Sequence, residues 1–138
     1  MKVEMEFNEE HLRLIIKALE VYARSTLSQA DLVGDMLADD VFVYDKSDPD
    51  NDERFHTWLE HRDEMRKHLQ DAFDVMYGRN INKSDLTKNL IDIWHVFTHY
   101  QYNHLPDENK LSWDVRSNVP FQCGTEPLIT LKDINTTE

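Results

Sequence analysis

Between residues 55 and 77 the apolar side chains Phe55, Trp58, Leu59, Met65, Leu69, Phe73 and Met76 return at the spacing of an α-helix, and Gly78 follows as a natural stop. A stretch of that length commits the chain to helix, because a 3.6-residue period gathers these side chains on one face that must be covered. The same period appears before and after it. Asn8 followed by Glu9 and Glu10 supplies a capping side chain and first-turn acids, and Leu12, Ile15, Ile16, Leu19 and Ala23 share a face, which predicts a helix over 9–27. Ser28 with Asp31 three residues on reads as the cap of a second, shorter helix carrying Leu32, Val33, Met36 and Leu37. Residues 41–44 read as a strand or as the end of that helix, and 45–52 (DKSDPDND) as a solvated loop. Ser84 or Asp85 caps a fourth helix with a face of Leu86, Leu90, Ile93, Trp94, Phe97 and Gln101, which ends near Pro106.

Beyond residue 104 the pattern changes. Leu111, Trp113 and Val115 alternate with polar residues, and 121–134 is rich in β-branched residues but interrupted by Gly124 and Pro127, with Pro120 just ahead. The expected fold is therefore mainly α: about four helices over 9–104, then a short β or extended C-terminal segment over 111–134. With 138 residues, one domain spanning 1–138 is expected. Interrupted tails make poor independent sheets, so this segment is expected to pack across the helical bundle or onto a second copy, as a homo-oligomer. No uncharged run approaches the roughly 18 residues of a membrane span, and 1–8 lacks the apolar stretch of a secretion signal. The single cysteine, Cys123, suits a reducing compartment. A cytoplasmic protein with no membrane partner is expected.

Charge narrows the partners. Acids outnumber bases 27 to 15, giving a net charge of −12, so direct nucleic-acid binding is not expected. The acid is concentrated: residues 31–53 carry nine carboxylates against Lys46 alone. Such a surface suits a basic host protein, or the mimicry of a nucleic-acid backbone.

Two arginines interrupt the apolar face of the third helix. Arg62 and Arg66 fall between Trp58 and Leu69, where a guanidinium needs a carboxylate, a phosphate or carbonyls to satisfy it. They either face an anionic ligand, run along the edge of the core, or pair with acids from 31–53. On the first helix Arg13, Lys17, Glu20 and Arg24 form a mostly basic stripe, and Arg24 sits near the corner before Gln29. Tyr22 and Trp113 are available for stacking. His95 and His99, one turn apart with Asp92 on the same side, are the candidate metal ligands, although HVFTH lacks the glutamate of the zinc-protease pattern and an exposed polar face explains the spacing equally. Neither a phosphate-binding glycine loop, a dinucleotide fingerprint nor a serine-nucleophile elbow occurs, so no cofactor is called for and a catalyst of a common motif-bearing class is not expected.

Three stretches, ALEVYARSTLSQ at 18–29, IWHVFTHY at 93–100 and SWDVRSNVPFQCGTEPLITL at 112–131, resemble a family of small, mostly uncharacterised bacteriophage and prophage proteins. That family opens on a helix close to A-L-(D/E)-x-Y-x-R followed by Gly-Gln, and closes on a Trp/Tyr-x-Val segment leading to Pro and Gly-x-Glu-Pro-Leu. Tyr22, Arg24, Gln29, His99, Trp113, Val115, Pro120, Gly124, Glu126 and Pro127 match it, whereas Ser28 stands where the family has glycine. The resemblance implies a phage source and action in the cytoplasm of the infected bacterial host. The expected function is a phage-encoded binding protein, a counter-defence factor sequestering a nucleotide-like or other anionic small molecule. Its expected ligand-binding residues are Tyr22, Arg24, Gln29, Arg62, Arg66, His99 and Trp113. An acidic inhibitor of a host protein is the alternative, and a metal-dependent hydrolase using Asp92, His95 and His99 a further one.

Overall fold

A computed structural model describes residues 2–78 and 84–131. These form four α-helices, α1 (Glu9–Thr26), α2 (Ala30–Asp39), α3 (Asn51–Met76) and α4 (Asp85–Asn103), and the fold is mainly helical as expected. The chain divides into two compact units, the first made of Met1–Glu20 with Ser84–Glu138 and the second of Val21–Lys83. None of the helices described is long and apolar enough to cross a membrane.

In the second unit, α2 and α3 pack around Ala30, Val33 and Phe73, with Val21 and Leu69 against them. Burying a side chain such as Phe73 contributes about 2–3 kcal/mol. The face of α3 that is covered is narrower than the periodicity predicts. Leu59, Met65 and Met76 are 49%, 39% and 63% exposed. The reason is length: α3 has 26 residues and α2 has 10, so α2 cannot cover the whole stripe. Residues 41–44 take the helical of their two readings, as a π-helical turn over Asp40–Tyr44 closed by the Asp45 N–H on the Asp40 carbonyl at 2.9 Å. In the loop, the Asp45 and Asp48 side chains accept from the backbone of Ser47 (3.2 Å) and Asp50 (2.8 Å). Asp52 and Glu53 then favour the start of α3, which begins ahead of its apolar stripe.

The junction between α1 and α2 corrects one expectation. Ser28 does not cap α2, whose first turn receives no side-chain cap. It terminates α1 instead, at φ 58° in the left-handed region that glycine prefers. The Gln29 N–H bonds the Arg24 carbonyl (3.0 Å) and the Ser28 N–H bonds the Ser25 carbonyl (2.9 Å), the paired bonds of a Schellman stop. The Ser28 hydroxyl donates to the Gly78 carbonyl at 2.8 Å, which ties the end of α1 to the end of α3 within the second unit.

In the first unit, Asn8 caps α1 through the His11 N–H (2.8 Å), and Ser84, one of the two residues predicted for the task, caps α4 through the Thr87 N–H (3.2 Å). Leu12 and Ile16 of α1 and Leu90, Ile91, Val96 and Tyr102 of α4 are buried. Leu86, expected on the buried face, is 47% exposed. The C-terminal arm forms two 3-10 turns, Asp107–Asn109 and Val115–Ser117, and otherwise runs extended, with no strand among the described residues. The end of the expected segment, 132–134, lies outside them. The arm is fastened to α4 at three levels: the Tyr102 hydroxyl donates to the Leu111 carbonyl (3.1 Å), His99 Nδ1 meets the Arg116 carbonyl (3.1 Å), and Asp92 receives the Cys123 and Gly124 N–H groups (2.8 Å each). Lys110 and Arg116 each lie over the Tyr102 ring, 5.8 Å from its centre.

Candidate functional site

Of the residues nominated from sequence, Tyr22, Arg24, Gln29, Arg62 and Arg66 belong to the second unit, and His99 and Trp113 to the first. Arg62 and Arg66 do share a partner, and it comes from the acidic stretch. Arg62 Nε and Nη2 donate to the two Asp35 oxygens at 3.3 and 2.9 Å, and Arg66 Nη2 donates to the same carboxylate. The Arg62 hydrogen bond, followed by that of Arg66, holds the Asp35 carboxyl below the usual carboxylate range against the opposing effect of burial. Of the three readings of these arginines, internal pairing is the one realised, and Asp35 occupies the fork that an anionic ligand would need. Arg24 and Gln29 also meet, Arg24 Nη1 donating to Gln29 Oε1 at 2.9 Å across the Schellman stop. In that stop, residues C3 and C″ commonly touch through apolar groups, and here they touch through a polar pair. Tyr22 and Trp113 stand 47% and 78% exposed.

The candidate metal stripe is committed elsewhere. Asp92, 4% exposed, accepts the two arm N–H groups and the Cys123 thiol at 3.0 Å. Burial pushes its carboxyl up, but the thiol and the two N–H groups outweigh this, and the net shift is downward. His99 is engaged at both nitrogens, by the Arg116 carbonyl and by Asn103 at 3.1 Å. Among the described residues no three His, Cys, Asp or Glu side chains converge to hold a metal ion. The face of α4 read as exposed is thus the face the arm covers. Gly124 makes this possible, since a Cβ there would stand 2.1 Å from Asn89 Oδ1 and 3.0 Å from Asp92 Oδ2.

His95 leads to the site that sequence reasoning missed. It stacks obliquely against Phe121, ring centres 4.9 Å apart, and lies 5.7 Å from the Trp94 ring. These three rings form part of the wall of a cavity of about 490 Å³ in the first unit, bounded by α1, α4 and the arm. Its polar wall holds Thr98, Gln101, Asn118 and the pair Asp114–Arg116. Asp114 Oδ2 accepts Arg116 Nη2 at 2.7 Å and Nε at 3.1 Å, while Arg116 Nη1 reaches Gln101 Oε1 at 3.4 Å. The mutual hydrogen bonding holds the Asp114 carboxyl low and raises the guanidinium. Apolar wall with a few converging polar groups is the composition of a small-molecule site. The available signal was local: the motif W-D-V-R carries an acid and a base two residues apart, and the turn at 115–117 lets both reach the same point. What hid the site was the reading of the His95 and His99 side of α4 as an exposed polar face, which is the side the arm covers.

The positions that carry the phage resemblance fall largely on joints of the fold. Arg24 and Gln29 belong to the stop of α1, His99 and Gly124 to the fastening of the arm, and Val115 and Pro120 to the cavity wall. No family model matches the chain, and comparison with curated proteins and with solved structures finds no match.

Proposed function

We propose that this chain is a phage-encoded binding protein, acting as a counter-defence factor that sequesters a small molecule in the cavity between α1, α4 and the C-terminal arm. The observation that carries the reading is the cavity itself, about 490 Å³ and lined by Trp94, His95 and Phe121 together with amide, hydroxyl and guanidinium groups. A volume of that order falls within the range of small-molecule sites. The site moves from the arginines nominated by sequence to the arm, because Asp35 and Gln29 already hold those guanidiniums.

Native mass spectrometry of freshly purified protein, followed by denaturation, tests this directly, since it reports stoichiometry and any released small molecule together. The expected result is a copurified ligand whose removal lowers Tm, and a panel of bases, nucleosides and nucleotides in which at least one member restores it and quenches Trp94 fluorescence. Phe121→Ser should weaken that ligand about tenfold or more by removing one aromatic wall, with Arg62→Gln leaving it unchanged. A folded, ligand-stripped sample that responds to no member of the panel, and releases nothing, would overturn the reading.

A second reading keeps one observation in its favour. Asp39, Asp50, Asp52 and Glu53 remain exposed, so part of the acidic stretch is open to a basic host protein. Neutralising Asp50 and Asp52 would weaken capture of such a partner and leave small-molecule binding intact.

A further inference from the structure

We infer that the cavity takes the flat, uncharged ring of a nitrogen heterocycle of the nucleobase class and discriminates against phosphate attached to it. The inference rests on the cavity being the binding site proposed above. Two observations separate ring from anion. The first is the arrangement of the wall. Trp94, His95 and Phe121 form a continuous aromatic cluster whose neighbours are tilted by 34° and 60°, so a flat ring entering the cavity finds both faces and edges to lie against. Around it, the Asn118 amide brings a donor and an acceptor and the Gln101 amide a further donor, which suits the ring nitrogens and exocyclic groups of a nucleobase edge.

The second observation concerns charge. Arg116 is the one lysine or arginine among the residues lining this cavity, and its fork is taken: Nε and Nη2 by Asp114, Nη1 by Gln101. Asp114 is held in turn, its side chain 13% exposed and both its oxygens engaged by Arg116. Glu20 brings a second carboxylate to the same wall. Two carboxylates thus stand with one guanidinium along this wall. A phosphate would have to displace Asp114 from the guanidinium or lie beside two carboxylates, and like charges at these separations repel. A nucleoside meets no such penalty.

The test compares adenosine, guanosine, cytidine and uridine with their 5′-monophosphates and triphosphates by isothermal titration at 150 mM salt. At least one nucleoside should bind, with its monophosphate about tenfold weaker and its triphosphate weaker still. Asp114→Asn should narrow or reverse that gap by freeing Arg116, and it keeps an oxygen to accept the Arg116 N–H that starts the 115–117 turn, so the arm is retained. Glu20→Gln should narrow the gap by removing the other carboxylate from the wall, which covers the case in which Asp114→Asn fails to fold. Nucleotides binding more tightly than their nucleosides would overturn the inference and leave the cavity as the binding site. Silence from nucleosides and nucleotides alike would overturn both.

Discussion

Ser28 shows how one residue can hold a backbone geometry that does not suit it. The left-handed conformation costs a non-glycine residue about 1–2 kcal/mol, and the hydroxyl offsets part of this by donating to the Gly78 carbonyl at 2.8 Å. Two substitutions separate these effects. Ser28→Gly removes strain and hydrogen bond together and should change stability by less than about 1 kcal/mol, whereas Ser28→Ala keeps the strain, loses the bond and should destabilise by about 1–2 kcal/mol. Urea unfolding of both variants checks the order. Asp35 is the second residue with a sharp expectation. Asp35→Ala leaves Arg62 and Arg66 without their shared acceptor at the α2–α3 contact, and since these side chains are well solvated the loss should be modest, far below that of a fully buried pair, as urea unfolding would report. Asp35→Ala with Arg66→Met should recover part of it in a double-mutant cycle.

At the scale of elements, the arm is held less by apolar burial than by one carboxylate. Asp92 receives two successive N–H groups and a thiol from the arm, and its pKa lies below the ordinary Asp value, so the fastening contributes stability above the unfolded-state pKa and loses it as pH falls through the lower folded value. The Gly124 amide proton resonance should therefore titrate below the usual carboxylate range, and Asp92→Asn should abolish that titration and speed amide exchange at Cys123 and Gly124 while α4 stays helical by circular dichroism. An Asp92→Asn protein with wild-type exchange at both amides would show that other contacts hold the arm. The elements legible in the sequence were those whose signals are local. Asn8, Ser84 and Gly78 mark helix ends because each meets backbone groups within a turn of itself. Ser28 was misread because serine suits a helix start by its side chain, whereas here it ends α1 in a left-handed backbone, with the Gly78 carbonyl, 50 residues on, as the acceptor of its hydroxyl.

For the whole molecule, the charge of −12 sets a background that individual pairs do not cancel. Asp48 pairs with Arg54 at 2.6 Å, and Asp35 with two arginines, yet most of the carboxylates over 31–53 remain in one region. Contact pairs survive moderate salt, while repulsion across ten or more ångströms is screened once the Debye length falls from about 30 Å at 0.01 M to about 8 Å at 0.15 M. Tm should therefore rise between those two ionic strengths, and less so in Asp50→Asn/Asp52→Asn protein, as differential scanning calorimetry would report. The sequence alone determined that the chain is helical, where most helices begin and end, and that Arg62 and Arg66 interrupt a packed face, because periodicity and capping act within a turn or two. Only the tertiary structure decided what those arginines meet, which side of α4 is covered, and that a cavity forms beneath the arm. Asp35 lies 27 residues from Arg62, and Asp92 lies 31 from Cys123. Such partners are chosen by how packed elements converge in space, which no local period in the chain records.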